Sequence, residues 1–190
     1  MKYVPIDPAL FVGNRERLTK LLQPGAVAVL NANDIMPTNA DGSMGHLQNS
    51  DFYYLTGINQ EESILVLAPD AVNPAMREIL FLRETNERLV IWEGHKYTKE
   101  EAPKISGIKN VQWLSAFPMI FKQLMCEGEC VYLNSNEHYR ASSPVETRDR
   151  RFVEWCKEMY PLHQYHRLAP LMHRLRIVKS PIEVDLIRKA

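Results

Sequence analysis

Short apolar runs alternate along the chain with segments whose apolar residues recur at helical spacing. Residues 26–30, 63–67 and 78–82 are almost wholly apolar and too short for helices, and residues 111–114 and 130–133 continue the pattern. Runs of this kind are typical of strands that are covered on both faces of a sheet. Because such strands need helices on both sides, the pattern predicts an α/β fold.

Helix-start signals lie between the predicted strands. Asp7 followed by Pro8 is an N-cap with proline at the first helical position, and it predicts an amphipathic helix that ends before Pro24. Thr98 and Ser180 each precede a glutamate by three residues, which is the capping-box pattern of a helix start. The helix after Ser180 has no C-cap before the last residue, so we expect the chain to be a piece of a longer protein.

Three further elements are predicted from weaker signals. Ser115 predicts the N-cap of a helix that extends to Met125. Ser143 followed by Pro144 predicts the start of a longer amphipathic helix. Residues 88–92 predict a short additional strand.

The most distinctive stretch is residues 48–57, in which polar residues run into large apolar ones and end at Gly57. Polar side chains of this kind bond to nearby backbone groups and fix a turn. The apolar half must bury a large area once the turn ends. Residues 31–47 precede it and are rich in Asn, Asp, Gly and Pro. We predict that the polar half fixes this long loop and that the apolar half enters the core.

Charge and hydropathy exclude several classes of partner. Lys plus Arg and Asp plus Glu both total 23, which argues against nucleic acid and anionic membranes because both attract a basic excess. The arginine-rich run at residues 148–151 is interleaved with acidic residues and is interpreted as a solvated helix face. No apolar window is long enough to span a membrane, and residues 1–5 lack the apolar core of a signal peptide. We therefore predict a cytoplasmic protein.

Candidate chemistry is sparse. Cys126, Cys130 and Cys156 are odd in number, which favours buried free thiols in a reducing compartment, and a zinc half-site at the first two lacks a second ligand pair. The six histidines form no His-Glu-x-x-His pattern, and a nucleophile elbow and a Gly-rich phosphate loop are missing. A Ser-His-Asp triad stays open, but the sequence predicts no catalytic residue and no metal ligand in this chain.

Residues 48–57 resemble the N-terminal domain of Xaa-Pro aminopeptidase (aminopeptidase P), in the creatinase and prolidase group. Other segments resemble the same family, namely residues 38–41, 46–48, 62–67, 91–96 and 175–190. The resemblance spans nearly the whole chain. It is specific at the two ends, whereas residues 111–162 are generic α/β sequence.

The resemblance implies a fold and a division of the chain. Residues 1–174 would form a ribonuclease H-like domain with a mixed sheet and helices on both faces. Residues 175–190 would be the linker and the start of the first helix of a pita-bread catalytic domain. In the family that second domain binds two divalent metal ions, usually manganese, and releases the N-terminal residue from peptides with proline second.

The resemblance also implies what this chain does and what it needs. It would be a non-catalytic domain that is inactive alone and holds no cofactor, because the metal ligands lie in the second domain. Its partners would be its own catalytic domain, proline-containing peptides bound by the whole enzyme, and further copies in a dimer or tetramer. The expected role is assembly and shaping the access to the active site.

Two residues match family positions that approach the substrate. Asp41 occupies the place of a loop carboxylate that could meet a peptide amino terminus, and Trp92 matches a pocket-wall tryptophan that could stack on proline. Each also has a structural interpretation, since Asp41 could fix its own turn and Trp92 could pack at a strand end. Leu47 and Lys96 stand where the family has arginine, so a bidentate guanidinium contact is expected to be lost or weakened there.

Three other interpretations stay open. The chain could belong to a prolidase or creatinase relative, although the sequence of residues 51–57 favours aminopeptidase P. It could be a partner-binding module, because pita-bread folds also occur without metals. A nuclease would need carboxylates grouped at strand ends, and the apolar runs supply too few.

Overall fold

The computed structural model describes residues 5–86 and 91–189. Within these residues one sheet is built from the strands β1 (Ala26–Asn31), β2 (Ile64–Leu67), β3 (Glu78–Leu82), β4 (Asn110–Trp113), β5 (Cys130–Leu133) and β6 (Gln164–Arg167). The strands stand in the order β4-β3-β2-β1-β5-β6. All five strands predicted from the apolar runs are present, with ends shifted by at most one residue.

Helices connect and cover the strands. They are α1 (Pro8–Thr19), α2 (Ser50–Thr56), α3 (Ala102–Ser106), α4 (Phe117–Glu127), α5 (Arg148–Met159), α6 (Ala169–Ile177) and α7 (Pro181–Lys189). Two 3-10 turns occupy Pro74–Met76 and Leu114–Ala116. No helix of the described ranges is long and apolar enough to cross a membrane.

The sheet is mixed, as the resemblance implied. Strand β2 is antiparallel to both of its neighbours, β1 and β3. The other pairs are parallel, so β1, β5 and β6 end at the same edge of the sheet. That shared carboxyl edge is where open α/β sheets place their functional crevices.

Alternate residues of the central strand face two separate helical layers. Ala28 and Leu30 of β1 belong to a core that also includes residues of α1, α2, α3 and α6. Val27 and Val29 belong to a second core with residues of α4 and α5. All six residues of β1 are buried, which stabilises the fold by about 1.5–3 kcal/mol for each large apolar side chain. The α/β prediction with helices on both faces is confirmed.

A buried arginine joins α1 to the sheet. Arg15 is 1% exposed and is among the largest fully buried side chains of the described residues. Its Nη1 donates to the carbonyl of Leu55 at 2.6 Å, and its Nε forms an ion pair with Glu78 at the start of β3. A buried guanidinium is tolerated only when it is paired in this way.

The distinctive stretch forms a helix that the sequence analysis described only as a fixed turn. The side chain of Asn49 accepts hydrogen bonds from the backbone of Asp51 and Phe52, at 3.0 and 3.2 Å, and so caps α2. Gly57 ends the helix at φ 67°, and a Cβ there would lie 2.4 Å from the ring of Phe11. Glycine is therefore required by both the left-handed backbone and the close approach of α1.

Two predicted helix starts are wrong. Helix α5 begins at Arg148, where the Thr147 hydroxyl accepts from the Arg150 backbone, whereas the Ser143 hydroxyl bonds locally to Val145 in the preceding loop. Ser115 lies inside a 3-10 turn, and α4 follows it without a side-chain cap. Serine supplies a cap only where the following backbone turns into the helix, which the sequence alone does not show.

The predicted strand at residues 88–92 falls partly outside the described residues, which exclude 87–90. Ile91 and Trp92 themselves are helical rather than extended.

The C-terminal segment contains one predicted helix and one that was missed. The capping box of α7 is confirmed, since the backbone of Ser180 donates to Glu183 and the backbone of Glu183 donates to the Ser180 hydroxyl. Helix α6 was not predicted because no side chain caps its start. It crosses the predicted boundary at residue 174, and its Leu175 belongs to the core.

Candidate functional site

An exposed hairpin-like loop at residues 32–48 carries Asp41. Residues Pro37 and Ser43 form an isolated antiparallel bridge, and the backbone of Met44 donates to Met36 at 2.8 Å. The tip is closed by backbone bonds, in which Gly42 donates to Asn39 at 3.0 Å. The loop therefore has an ordered tip that extends away from the core.

The side chain of Asp41 is exposed at this tip. Among the residues that the structure describes, its carboxylate has no hydrogen-bond or ion-pair partner, and the turn is closed by the backbone of Thr38, Asn39 and Gly42. The carboxylate is thus not needed to fix the turn, and it is available to a cation or an amino group.

Trp92 occupies a second exposed segment, residues 91–97. Its side chain is 82% exposed and that of its neighbour Ile91 is 78% exposed. Exposed indole groups are uncommon on monomer surfaces because burying them is strongly favourable. The structural interpretation of Trp92 as packing at a strand end does not agree with this exposure.

Gln48 joins the Asp41 loop to the segment between α2 and β2. Its Oε1 accepts from the backbone of Asn33 at 3.1 Å, at the start of the loop. Its Nε2 donates to the carbonyls of Ile58 and Gln60 at 3.2 and 2.9 Å. The polar half of the distinctive stretch therefore fixes the loop, as the sequence analysis predicted.

The segment that bears Trp92 is joined to the same place. The side chain of Gln60 accepts from the backbone of Tyr97 at 2.7 Å, and Glu61 forms an ion pair with Lys96. We call Gln48, Gln60, Glu61 and Lys96 the polar junction. Gln60 and Glu61 are 2% and 5% exposed. The centre of the junction is therefore buried, whereas the two loops that it connects are exposed.

The electrostatics of the junction favour an ionised carboxylate. Burial by itself raises the pKa of Glu61, but the hydrogen bond and charge of Lys96 outweigh it and hold the pKa below its ordinary value. Arg83 adds a guanidinium 3.7 Å from Glu61 and 2.9 Å from Glu93. Lys96, which stands where the family has arginine, thus pairs with Glu61 through an ammonium group, and Arg83 adds a further cation.

A second polar cluster lies at the carboxyl edge of β1. Asp149, at the start of α5, accepts from Asn31 at 3.0 Å and from Asn49 at 3.4 Å. Burial raises the pKa of Asp149 to about 6, and the bond from Asn31 opposes that shift. The interpretation of residues 148–151 as a solvated face is wrong for Asp149, which is 9% exposed.

Asp51, in the first turn of α2, connects this edge to α6. It pairs with Arg176 at 2.6 Å and accepts from Asn134 at 3.5 Å. Neither Asp149 nor Arg176 was predicted as a site residue, because their contacts join residues a hundred or more positions apart.

Across 5–86 and 91–189 no three His, Cys, Asp or Glu side chains are grouped as metal ligands. Cys130 and Cys156 are buried free thiols, whereas Cys126 is exposed, which corrects the prediction for that residue. What the site can supply is recognition, through a free carboxylate and an exposed indole on two loops held by one buried junction.

Comparison with known proteins gives consistent matches. Residues 11–133 match the family described as the N-terminal domain of aminopeptidase P. Xaa-Pro aminopeptidase of Escherichia coli K12 is 28% identical over 183 residues, which is 95% of this chain and 41% of that protein. The mitochondrial intermediate cleaving peptidase 55 of Arabidopsis thaliana is 22% identical, over 95% of this chain and 34% of its own length.

Solved structures match over nearly the whole chain. A Bacillus anthracis protein assigned as an aminopeptidase P superposes with a TM-score of 0.84 at 28% identity, over 97% of this chain and 44% of its own. The low-pH form of E. coli aminopeptidase P gives a TM-score of 0.78 at 26% identity, over 98% and 42%. The chain therefore spans about two fifths of the length of these relatives.

Proposed function

Because the chain belongs to the aminopeptidase P N-terminal domain family, we propose that it serves as the non-catalytic domain of a metal-dependent Xaa-Pro aminopeptidase. The whole protein would release the N-terminal residue from peptides with proline second. The observation that carries this proposal is the match over 95% of this chain to only 41% of a Xaa-Pro aminopeptidase.

We assign recognition to the two exposed loops. The Asp41 carboxylate, free of partners among the described residues, would bind the cationic amino terminus of a peptide in its own or a neighbouring subunit. The Trp92 indole, 82% exposed, would stack on the proline ring. Neither contact supplies chemistry to the scissile bond, so neither residue is catalytic.

The chain division follows the same proposal. Residues 1–174 would be the N-terminal domain, and residues 175–190 the linker with the start of the first catalytic-domain helix. Tyr54 of α2 lies 3.5 Å from Glu183 of α7, and Arg17 of α1 lies 3.7 Å from the same carboxylate. These contacts would set the direction in which the chain enters the next domain.

The cofactor and setting belong to the whole protein. We propose that two divalent metal ions, both manganese, are held by ligands outside this chain. A relative, E. coli aminopeptidase P, has been solved in a zinc-substituted form with product. The protein would act in the cytoplasm as a homo-oligomer, a dimer or tetramer, without nucleic acid or membrane partners. A net charge of zero supports the last point.

Assaying the full-length protein tests the proposal. With manganese it should cleave a tripeptide with proline second and leave its alanine analogue uncut, and chelation should abolish the activity. The 190-residue chain alone should be inactive under both conditions. Full-length protein that folds and binds metal but leaves the proline peptide uncut would contradict the proposal and favour a partner-binding module.

A further inference from the structure

Glu61 lies where the two exposed loops meet. Its carboxylate is buried, and Lys96 of the Trp92 segment pairs with it from one side. His46 of the Asp41 loop is near enough to interact with the same carboxylate electrostatically. Both ring nitrogens of His46 are buried without a hydrogen-bond partner among the described residues.

The backbone around Glu61 is fixed on both sides. The side chain of Gln60 accepts a hydrogen bond from the backbone of Tyr97, and its backbone carbonyl accepts one from the side chain of Gln48. Gln60 therefore contacts both loops. Glu62 has φ 50°, a left-handed conformation that is unfavourable for a side chain of this kind and persists only where the surroundings over-determine it.

The junction contains a buried charged pair. The Lys96 side chain is 10% exposed and that of Glu61 is 6% exposed, and removing one member of a buried pair leaves the other charge without compensation.

We infer that Glu61 is a positioning residue that fixes the Trp92 segment against the Asp41 loop and so sets the separation of the two recognition groups. The effect of Glu61 on substrate binding rests on the proposed function. The positioning itself is a property of this chain, and it can be measured without a substrate.

Amide hydrogen exchange on the full-length protein tests the positioning. Glu61→Gln and Lys96→Met should both speed exchange at the Tyr97 amide by about tenfold or more, because local opening sets its protection. Glu61→Gln should also speed exchange at Asn33, across the junction in the Asp41 loop. Lys104→Met, an exposed lysine on α3, is the matched control and should change neither amide.

Circular dichroism establishes that each variant is folded, and Lys96→Met keeps the test decisive if Glu61→Gln does not fold. Lys96→Arg should restore the protection of Tyr97, because it retains the charge. Unchanged exchange at Tyr97 in the folded variants would overturn the inference. So would a change at Tyr97 with none at Asn33 in Glu61→Gln.

A kinetic measurement separates this inference from the proposed function. In the full-length protein Glu61→Gln should raise KM for a proline tripeptide by about fivefold with kcat little changed, because only binding geometry is lost. Faster exchange with an unchanged KM would leave the positioning role standing and count against the substrate role of Trp92.

Discussion

Helix α2 and the Asp41 loop lie on either side of Gln48 and Asn49, yet they have opposite environments. Phe52 and Leu55 of α2 are completely buried. On the loop side Met44 and Leu47 are 59% and 82% exposed. The two polar residues between them cap the helix on one side and hold the loop on the other. The stretch is therefore a boundary between a buried helix and an exposed loop, and the recognition that we propose belongs to the loop side.

This contrast separates two kinds of apolar residue that the sequence does not distinguish. Leu55 and Leu47 are the same residue type a few positions apart, and only the first enters the core. Substitutions of buried residues in α2 should therefore lower the stability of the fold strongly. Substitutions in the exposed loops should change binding and leave stability nearly unaffected.

The largest expected effect is on the core side. Phe52→Ala should lower the free energy of unfolding by about 3–5 kcal/mol, because it removes a fully buried aromatic ring and leaves a cavity. Leu47→Ala should change it by less than about 0.5 kcal/mol, as is usual for exposed positions. Urea unfolding of the two variants measures the difference. Equal losses would show that the loop packs as tightly as the helix.

A pH-dependent effect should follow from the cluster beneath the N-terminus of α2. Burial raises the pKa of Asp149 to about 6 from an ordinary value of 3.8, so the folded chain binds this proton more tightly than the unfolded chain. The stabilisation by the protonated carboxyl is complete at a pH below the ordinary pKa, and it is lost as the pH rises through about 6.

Compared with Asp149→Asn, the wild-type chain should lose about 2–3 kcal/mol of unfolding free energy between about pH 4 and pH 7. The neighbouring carboxylates of Asp51 and Asp34 raise the pKa of Asp149 further, whereas the charge of Arg148 lowers it. Urea unfolding at intervals of pH measures the difference between the two proteins. A flat difference across this range would show that Asp149 is solvated.

A smaller effect is expected at the boundary itself. Asn49→Ala should cost about 1 kcal/mol, because it removes the cap of α2, and Asn49→Ser should recover most of that loss. Thermal unfolding measured by circular dichroism compares the three proteins. If the serine variant is as unstable as the alanine variant, the contribution of Asn49 comes from its bond to Asp149 rather than from the cap.

Five of the six strands in the described residues were predictable because their determinants are local. Residues 79–82 and 130–133 are continuous apolar runs, and the capping box at Ser180 needs only four residues. Helix α6 was missed because its start lacks a side-chain cap and its apolar stripe is short. The start of α5 was misplaced because Ser143 and Thr147 both offer a hydroxyl, and only the fold decides between them.

The site was less predictable than the fold. Asp41 and Trp92 were chosen from the resemblance, and the structure supplies their exposure, which no sequence pattern contained. The polar junction was not foreseen, since Glu61 and Lys96 are 35 positions apart and both residue types are ordinarily solvated. Buried charge pairs depend on tertiary contacts, which leave no periodic signal in the sequence.

The most direct test of the central claim is the KM of the full-length protein for a proline tripeptide after Trp92→Ala, with Ile91→Ala as the matched control. Both side chains are exposed and adjacent. The tryptophan variant should raise KM by about tenfold, consistent with the loss of about 1.4 kcal/mol of ring stacking. The isoleucine variant should leave it within about twofold. An unchanged KM for Trp92→Ala, or equal effects of both substitutions, would contradict the claim that the exposed loops recognise the substrate.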